Sequence, residues 1–403
     1  MNVVFISPNF PEHFYNFCDR LKRLGVNVLG IGDCPYDSLD RRCVDALTEY
    51  YWTPSLEDYA AVYRAVAYYV FHYGRIDHIE SQNEYWLGLE ARLREDYNVA
   101  TGLRPDELKD LQRKSKMKAH YAAAGIKTAR WTLVEDLDEL RRFARVVGRP
   151  IVVKPDAGVG AIGARKICND AELVQFWKEK DSVEYIAEEY VPGRVETFDG
   201  IVDGRGDVIF GSGQVMLVNP METSQGDGEA TSYATDVKGT GLYEIGTRAA
   251  KAFGLKSRFF HLEFFRLLED VPGLGVKGEV LGLEANLRAP GGYIPDKINY
   301  AHDVDVYQIW AEMLVYGENR SFADWRFKRY ATHIGRSAAV NYAHSVEEVR
   351  AKYRDRLLFD KTPPQALNAT MGAWIVLLKA NSIDELLAQR DFILARAPQP
   401  LSK

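Results

Sequence analysis

The chain has 403 residues, more than one ordinary hydrophobic core accommodates, so about two to four packed subdomains are expected. Its 46% apolar and 27% charged residues fit a soluble globular protein, and a net charge of −6 excludes general attraction to nucleic acid or anionic membrane. A bound polyanion must therefore be held by a local basic site.

In chain order, NVVFIS (2–7) predicts a buried strand, and residues 11–24 show helical periodicity that ends at Gly25. VNVLGIG (26–32) predicts a second strand, Leu56 to Tyr73 a helix, IDHIES (76–81) a strand, and Leu87 to Arg94 a helix. This alternation implies a parallel, doubly wound domain over 1–105. Ligands of such sheets lie beyond the carboxyl ends of the strands, where Ser7-Pro8-Asn9 and Ser81-Gln82-Asn83-Glu84 fall. The opening MNVVFISPNF lacks the basic stretch of a signal peptide. The most hydrophobic run, Tyr59 to Phe71, is interrupted by Arg64 and is too short to span a bilayer. Cys18, Cys34, Cys43 and Cys168 are scattered without metal-ligand spacing, as free thiols of a reducing compartment would be. A cytoplasmic protein with no membrane or nucleic-acid partner is expected.

From Pro105 a basic, alanine-rich helix (Leu108–Ala124) is predicted to run to Gly125, followed by TARWTLV, a helix near 136–147 and the strand IVVKP (151–155). After Gly200 the pattern is mostly antiparallel: FDGIVDG, DVIFGSGQVMLV, a polar loop over 219–238, a helix (Leu242–Phe253), then two strands. Residues 321–403 mix strands and helices. The fold class is therefore α/β followed by α+β.

The most informative segment is a pair of strands near 259–290. In FFHLEFF a period of two places His261, Glu263 and Phe265 on one face; in LGLEANLRAP it does the same for Glu284, Asn286 and Arg288. The turn-rich EDVPGLGVKG between them predicts a long-looped hairpin. Facing carboxylates cannot both stay ionised in a half-buried site without a compensating cation, and an all-oxygen donor set suits Mg²⁺. Arg288 then stands within reach of a substrate carboxylate or phosphoryl oxygen.

A second segment, IVVKPDAGVGAIGARKI, brings Lys154 to a strand end before a glycine-rich turn. Gly158, Gly160 and Gly163 would let backbone N–H groups approach phosphate oxygens, with the lysine as a point charge. These glycines match G-x-G-x-x-G, but ARKIC reads as a returning strand rather than the helix a dinucleotide site requires. A third, RKSKMKAHYAAAG, has Lys114 and Lys118 on one helical face and Lys116 roughly opposite. A fourth, YIAEEYVPG, is a short strand entering a Pro-Gly turn.

Taken in order, these four segments resemble the ATP-grasp superfamily, near its biotin carboxylase-like and amino-acid-ligase branches. The resemblance spans nearly the whole chain. It implies a pre-ATP-grasp domain (1–105), a lid subdomain (106–190), a large subdomain bearing the metal site (191–320) and a small C-terminal α+β unit (321–403). It also implies that Lys114, with Lys116 as runner-up, and Lys154 contact nucleotide phosphates beneath a flap from Gly158 to Gly163. Glu188, Glu189, Tyr190 and Val191 match the hinge that reads adenine. Glu263 and Glu284 match two magnesium-binding acids, Asn286 a third ligand, and Arg288 the arginine that steadies an acyl-phosphate or substrate carboxylate. The ribose-binding glutamate of such enzymes falls here on Val195, leaving Glu196 or Asp199 for that contact. The implied activity is ligation of a carboxylate to an amine or related nucleophile, with ATP, Mg²⁺ (Mn²⁺ as the alternative ion) and an acyl-phosphate. A bicarbonate-activating carboxylase and a non-catalytic nucleotide-binding regulator are the alternatives, and many relatives are homodimers. The loops SPNFP, ESQNEYW and NPMETSQGDGEATSYATD are the expected sources of substrate selectivity.

Overall fold

The computed structural model describes residues 1–158, 163–219 and 229–398. The first sheet is parallel with strand order β3-β2-β1-β4, from β1 (Asn2–Ile6), β2 (Asn27–Gly32), β3 (Glu49–Trp52) and β4 (His78–Glu80). The helix Tyr15–Arg23 covers one face and Tyr59–Tyr73 the other, each with its own apolar cluster. This is the doubly wound arrangement that strand–helix alternation dictates.

A second, four-stranded sheet has order β5-β8-β6-β7, formed by β5 (Trp131–Leu133), β6 (Ile151–Pro155), β7 (Arg165–Ile167) and β8 (Tyr185–Glu189). The residues after Gly163 return as β7, antiparallel to β6 with Ile151 opposite Ile167, a strand rather than the helix a dinucleotide site requires. Gly160 lies outside the described residues.

The large sheet has eight strands in the order β13-β12-β9-β10-β11-β14-β16-β15. These are β9 (Gly193–Val202), β10 (Val208–Met216), β11 (Ala230–Thr235), β12 (Arg258–Leu267), β13 (Val280–Asn286), β14 (Tyr330–Arg336), β15 (Leu357–Lys361) and β16 (Trp374–Ala380). The helix Leu242–Ala252 lies close against it: a Cβ added to Gly246 would sit 1.9 Å from the Phe198 ring. Among the described residues no helix is long and apolar enough to cross a membrane.

Two expectations are corrected. The single helix over Leu108–Ala124 is two, Pro105–Leu111 and Lys114–Ala123. Asp156 makes the break: its carboxylate accepts from the Ser115 N–H (2.7 Å) and hydroxyl (2.8 Å) and from Arg113 (2.9 Å), anchoring the second helix start at the end of β6. Ala230–Thr235, expected within a polar loop, is a strand paired with β10 and β14; its Thr-Ser-Tyr-Ala-Thr composition is polar but suits a pleated surface. The strands of residues 321–403 belong to the large sheet, because β14 pairs with β11.

Candidate active site

Strands β12 and β13 form the expected hairpin, with Glu263 opposite Glu284 and His261 opposite Asn286. Tyr121, from the helix Lys114–Ala123, donates its hydroxyl to the Glu284 carbonyl at 2.8 Å and so ties that helix to the hairpin. Asn286 donates to Glu263 Oε1 at 3.2 Å. Burial raises the Glu284 carboxyl, with Lys114 opposing and Glu263 adding to the rise. For Glu263 the penalty of burial is outweighed by His261, Arg288 and Lys154, which lower it. Two facing acids pushed in opposite directions form a pair that a cation would relieve.

The lysines arrive from the other side. Lys114 Nζ lies 3.3 Å from Glu284 Oε1 and donates to the Gly158 carbonyl at 3.0 Å. Lys154, at the end of β6, lies 2.7 Å from Glu188 Oε2, and Lys118 pairs with the other oxygen of the same carboxylate. All five side chains, Lys114, Lys118, Lys154, Glu188 and Glu284, are less than a tenth exposed. Burial opposes ionisation of Glu188, but the two ammonium groups overcome it and hold the carboxyl at about 2. Lys116, the runner-up, is exposed and turned away, as its helical phase requires.

Arg288 is held by the first domain: its Nε is 3.3 Å from Glu84 Oε2, and the Gln82 side chain accepts from the Ala289 N–H at 3.1 Å. The ESQNEYW loop beyond β4 thus reaches the arginine. On β9, Asp199 accepts from Thr197 at 2.7 Å and contacts His261 Nδ1 at 2.5 Å, while His261 Nε2 is 3.3 Å from Glu263. Burial works against the imidazolium, yet Asp199 and Glu263 raise His261 to about 9.

Lys154, His261, Glu263, Glu284 and Arg288 line a cavity of about 500 Å³, whose wall also includes Glu188, Glu189, Tyr190 and Val191; Lys114 and Asn286 adjoin it through Glu284 and Glu263. Glu189 itself is engaged by Arg130, with the backbone N–H and Nε each at 2.8 Å. Glu196 is a correction. Val195, Thr197 and Asp199 face the cavity side of β9, so Glu196 faces the back, where Arg266 (2.9 Å) and Arg194 bind its carboxylate. A ribose contact from Glu196 is incompatible with that placement. No group of three His, Cys, Asp or Glu side chains among the described residues forms a ready metal cage. A cation here would use the two acids and the amide, leaving room for other oxygen donors.

Residues 113–187 match the family model described as the carbamoyl-phosphate synthase L chain, ATP binding domain. The carbamoyl phosphate synthase large chain of Sulfolobus acidocaldarius is 30% identical over 112 residues, 27% of this chain and 10% of that protein. The chain thus matches about a tenth of the length of that curated relative. Over whole chains, the L-amino acid ligase of Bacillus licheniformis superposes with a TM-score of 0.72 at 18% identity, covering 99% of both. The N5-carboxyaminoimidazole synthetase of Staphylococcus aureus gives 0.68 at 13%, covering 97% of both. This is an ATP-grasp fold.

Within the ATP-grasp frame, the lysines and the acids occupy opposite walls of one cleft, contributed by β6 with the helix Lys114–Ala123 and by the β12–β13 hairpin. Sequence reasoning named Asp199 only as an alternative ribose contact and Glu84 only within a ligand-facing loop; it missed their contacts with His261 and Arg288, the pairing of Lys118 with Glu188, and the buried Lys297. All of these depend on contacts between distant segments.

Proposed function

We propose that the protein is an ATP-dependent ligase that activates a carboxylate and delivers it to an amine-type nucleophile. The observation that carries this reading is the opposition of Glu263, Glu284 and Asn286 to Lys114 and Lys154 across one cleft, with Arg288 between the cleft and the first domain. The ATP-grasp fold supports it.

In this reading Lys114 and Lys154 bind phosphate oxygens. The segment Glu188–Val191 borders the adenine. Glu263, Glu284 and Asn286 would hold Mg²⁺, or Mn²⁺ in its place; the bound ion neutralises charge on the phosphate oxygens. Arg288 orients the substrate carboxylate, whose oxygen attacks the γ-phosphorus while the bond to the β-phosphate oxygen breaks and ADP leaves. The amine then attacks the carbonyl carbon of the acyl-phosphate, inorganic phosphate departs, and the amine loses a proton. Exclusion of water protects the acyl-phosphate between these steps.

The test is a screen of carboxylate–amine pairs with Mg·ATP for stimulated phosphate release, with products identified by mass spectrometry. A condensed product with stoichiometric ADP is expected. Turnover with bicarbonate alone, or tight ATP binding with no turnover for any pair, would overturn the reading.

A further inference from the structure

The cavity continues past the acids to a second polar group that the proposed chemistry leaves unused. The helix Ile294–His302 follows the Ala-Pro-Gly-Gly turn after Arg288 and lays Lys297 against the large sheet. Lys297 is 1% exposed, and its ammonium donates to Ser232 Oγ at 2.6 Å. Ser232 on β11 stands directly opposite His333 on β14, so the two side chains share the cavity face. His333 is 8% exposed, and its Nε2 has no hydrogen-bond partner among the described residues. No carboxylate among the described residues lies within ion-pair distance of Lys297; Asp199 acts on it only at longer range.

A buried ammonium without a counter-ion, beside a hydroxyl and an unpartnered ring nitrogen, is costly unless something completes it. Burial lowers Lys297 to about 7 and, with the nearby ammonium adding to the effect, His333 to about 3, so the imidazole is neutral and Nε2 donates in one tautomer. One cation and two neutral donors match the two oxygens of a monoanion. A phosphoryl dianion would carry one negative charge more than this single ammonium balances.

We propose that Lys297, Ser232 and His333 form a carboxylate-recognition subsite for the amine-bearing substrate, which would make that substrate a molecule carrying both an amine and a carboxylate. The assignment to the amine substrate rests on the ligase reading; the binding of a carboxylate does not. The C-terminal strands thereby contribute to the site, because β14 brings His333 to it.

The full chain without nucleotide is titrated with propionate and with the isosteric propionamide by ligand-observed NMR, in an Arg288→Gln background that removes the cavity's arginine; the other cations lining it, Lys154 and His261, are already paired with Glu188 and with Asp199 and Glu263. Propionate is expected to bind at least tenfold more tightly than propionamide, and adding Lys297→Met to abolish the preference. Ser232→Ala in the same background should weaken propionate severalfold, and it carries the test if the Lys297 variant does not fold. Equal binding of the two probes, a preference that survives Lys297→Met, or unchanged propionate affinity in Ser232→Ala overturns the subsite. With turnover established, Lys297→Met should raise KM for carboxylate-bearing amines at least tenfold and leave KM for their amides within twofold; a rise in both overturns the assignment to the amine substrate. Failure of every carboxylate–amine pair to yield ADP sinks the ligase reading and leaves the NMR result standing.

Discussion

Glu263 and Glu284 face each other across neighbouring strands, and burial and charge drive their carboxyl groups in opposite directions, Glu263 down and Glu284 up. This follows from two like charges in one buried site, each with its own cationic neighbour. Glu284→Gln should therefore leave thermal stability without metal unchanged or higher, while lowering Mg²⁺-dependent ADP release by at least about a hundredfold. Thermal melts with and without Mg²⁺, alongside turnover, check this. Near-normal turnover would remove the metal assignment.

The two candidate lysines of one helix separate cleanly. Lys114 is 2% exposed and lies beside Glu284, whereas Lys116 points to solvent. Lys116→Ala should change ATP affinity less than twofold, and Lys114→Ala should weaken it by about tenfold or more, as loss of a charge-assisted contact does. Nucleotide titration of both variants decides between them.

Glu188 bridges two buried ammonium groups, so its removal leaves both uncompensated. Glu188→Gln is expected to cost about 3–5 kcal/mol of stability, read from denaturant midpoints. The pH dependence has a definite sign. With the folded carboxyl at about 2, below its ordinary value of 4.5, its stabilisation is present above 4.5 and is lost as pH falls towards 2. The wild type should lose stability over that window, and Glu188→Gln should lose less.

Lys297 behaves in the reverse sense. Its folded value of about 7 lies below the ordinary lysine value of 10.5, so the unfolded chain binds more protons between those limits and stability rises with pH across them. Lys297→Met should stabilise the protein at pH 7 and below, on the order of 2–4 kcal/mol, with the gain shrinking towards pH 10. Denaturant melts at several pH values test this, and a destabilised variant at pH 7 would contradict it.

Close packing gives a prediction independent of chemistry. Gly246→Ala places a methyl group against the Phe198 ring between helix and sheet. It should destabilise by about 1–3 kcal/mol despite the better helix propensity of alanine. A more stable variant in thermal melts would show that the helix can shift.

Local periodicity carried much of this protein. The alternation of strand and helix in the first domain, the two period-two strands bearing Glu263, Glu284 and Asn286, and the delivery of Lys154 to a strand end are legible because each depends on neighbours in sequence. The same holds for the opposite phases of Lys114 and Lys116 on one helix. Tertiary structure alone decided what depends on distant pairing. Asp156 breaks a helix 41 residues earlier in the chain, Arg266 takes Glu196 from 70 residues away, and Lys297 meets Ser232 across 65 residues. Such contacts leave no periodic trace, because strand register and helix docking, set by the whole core, determine which buried polar groups meet.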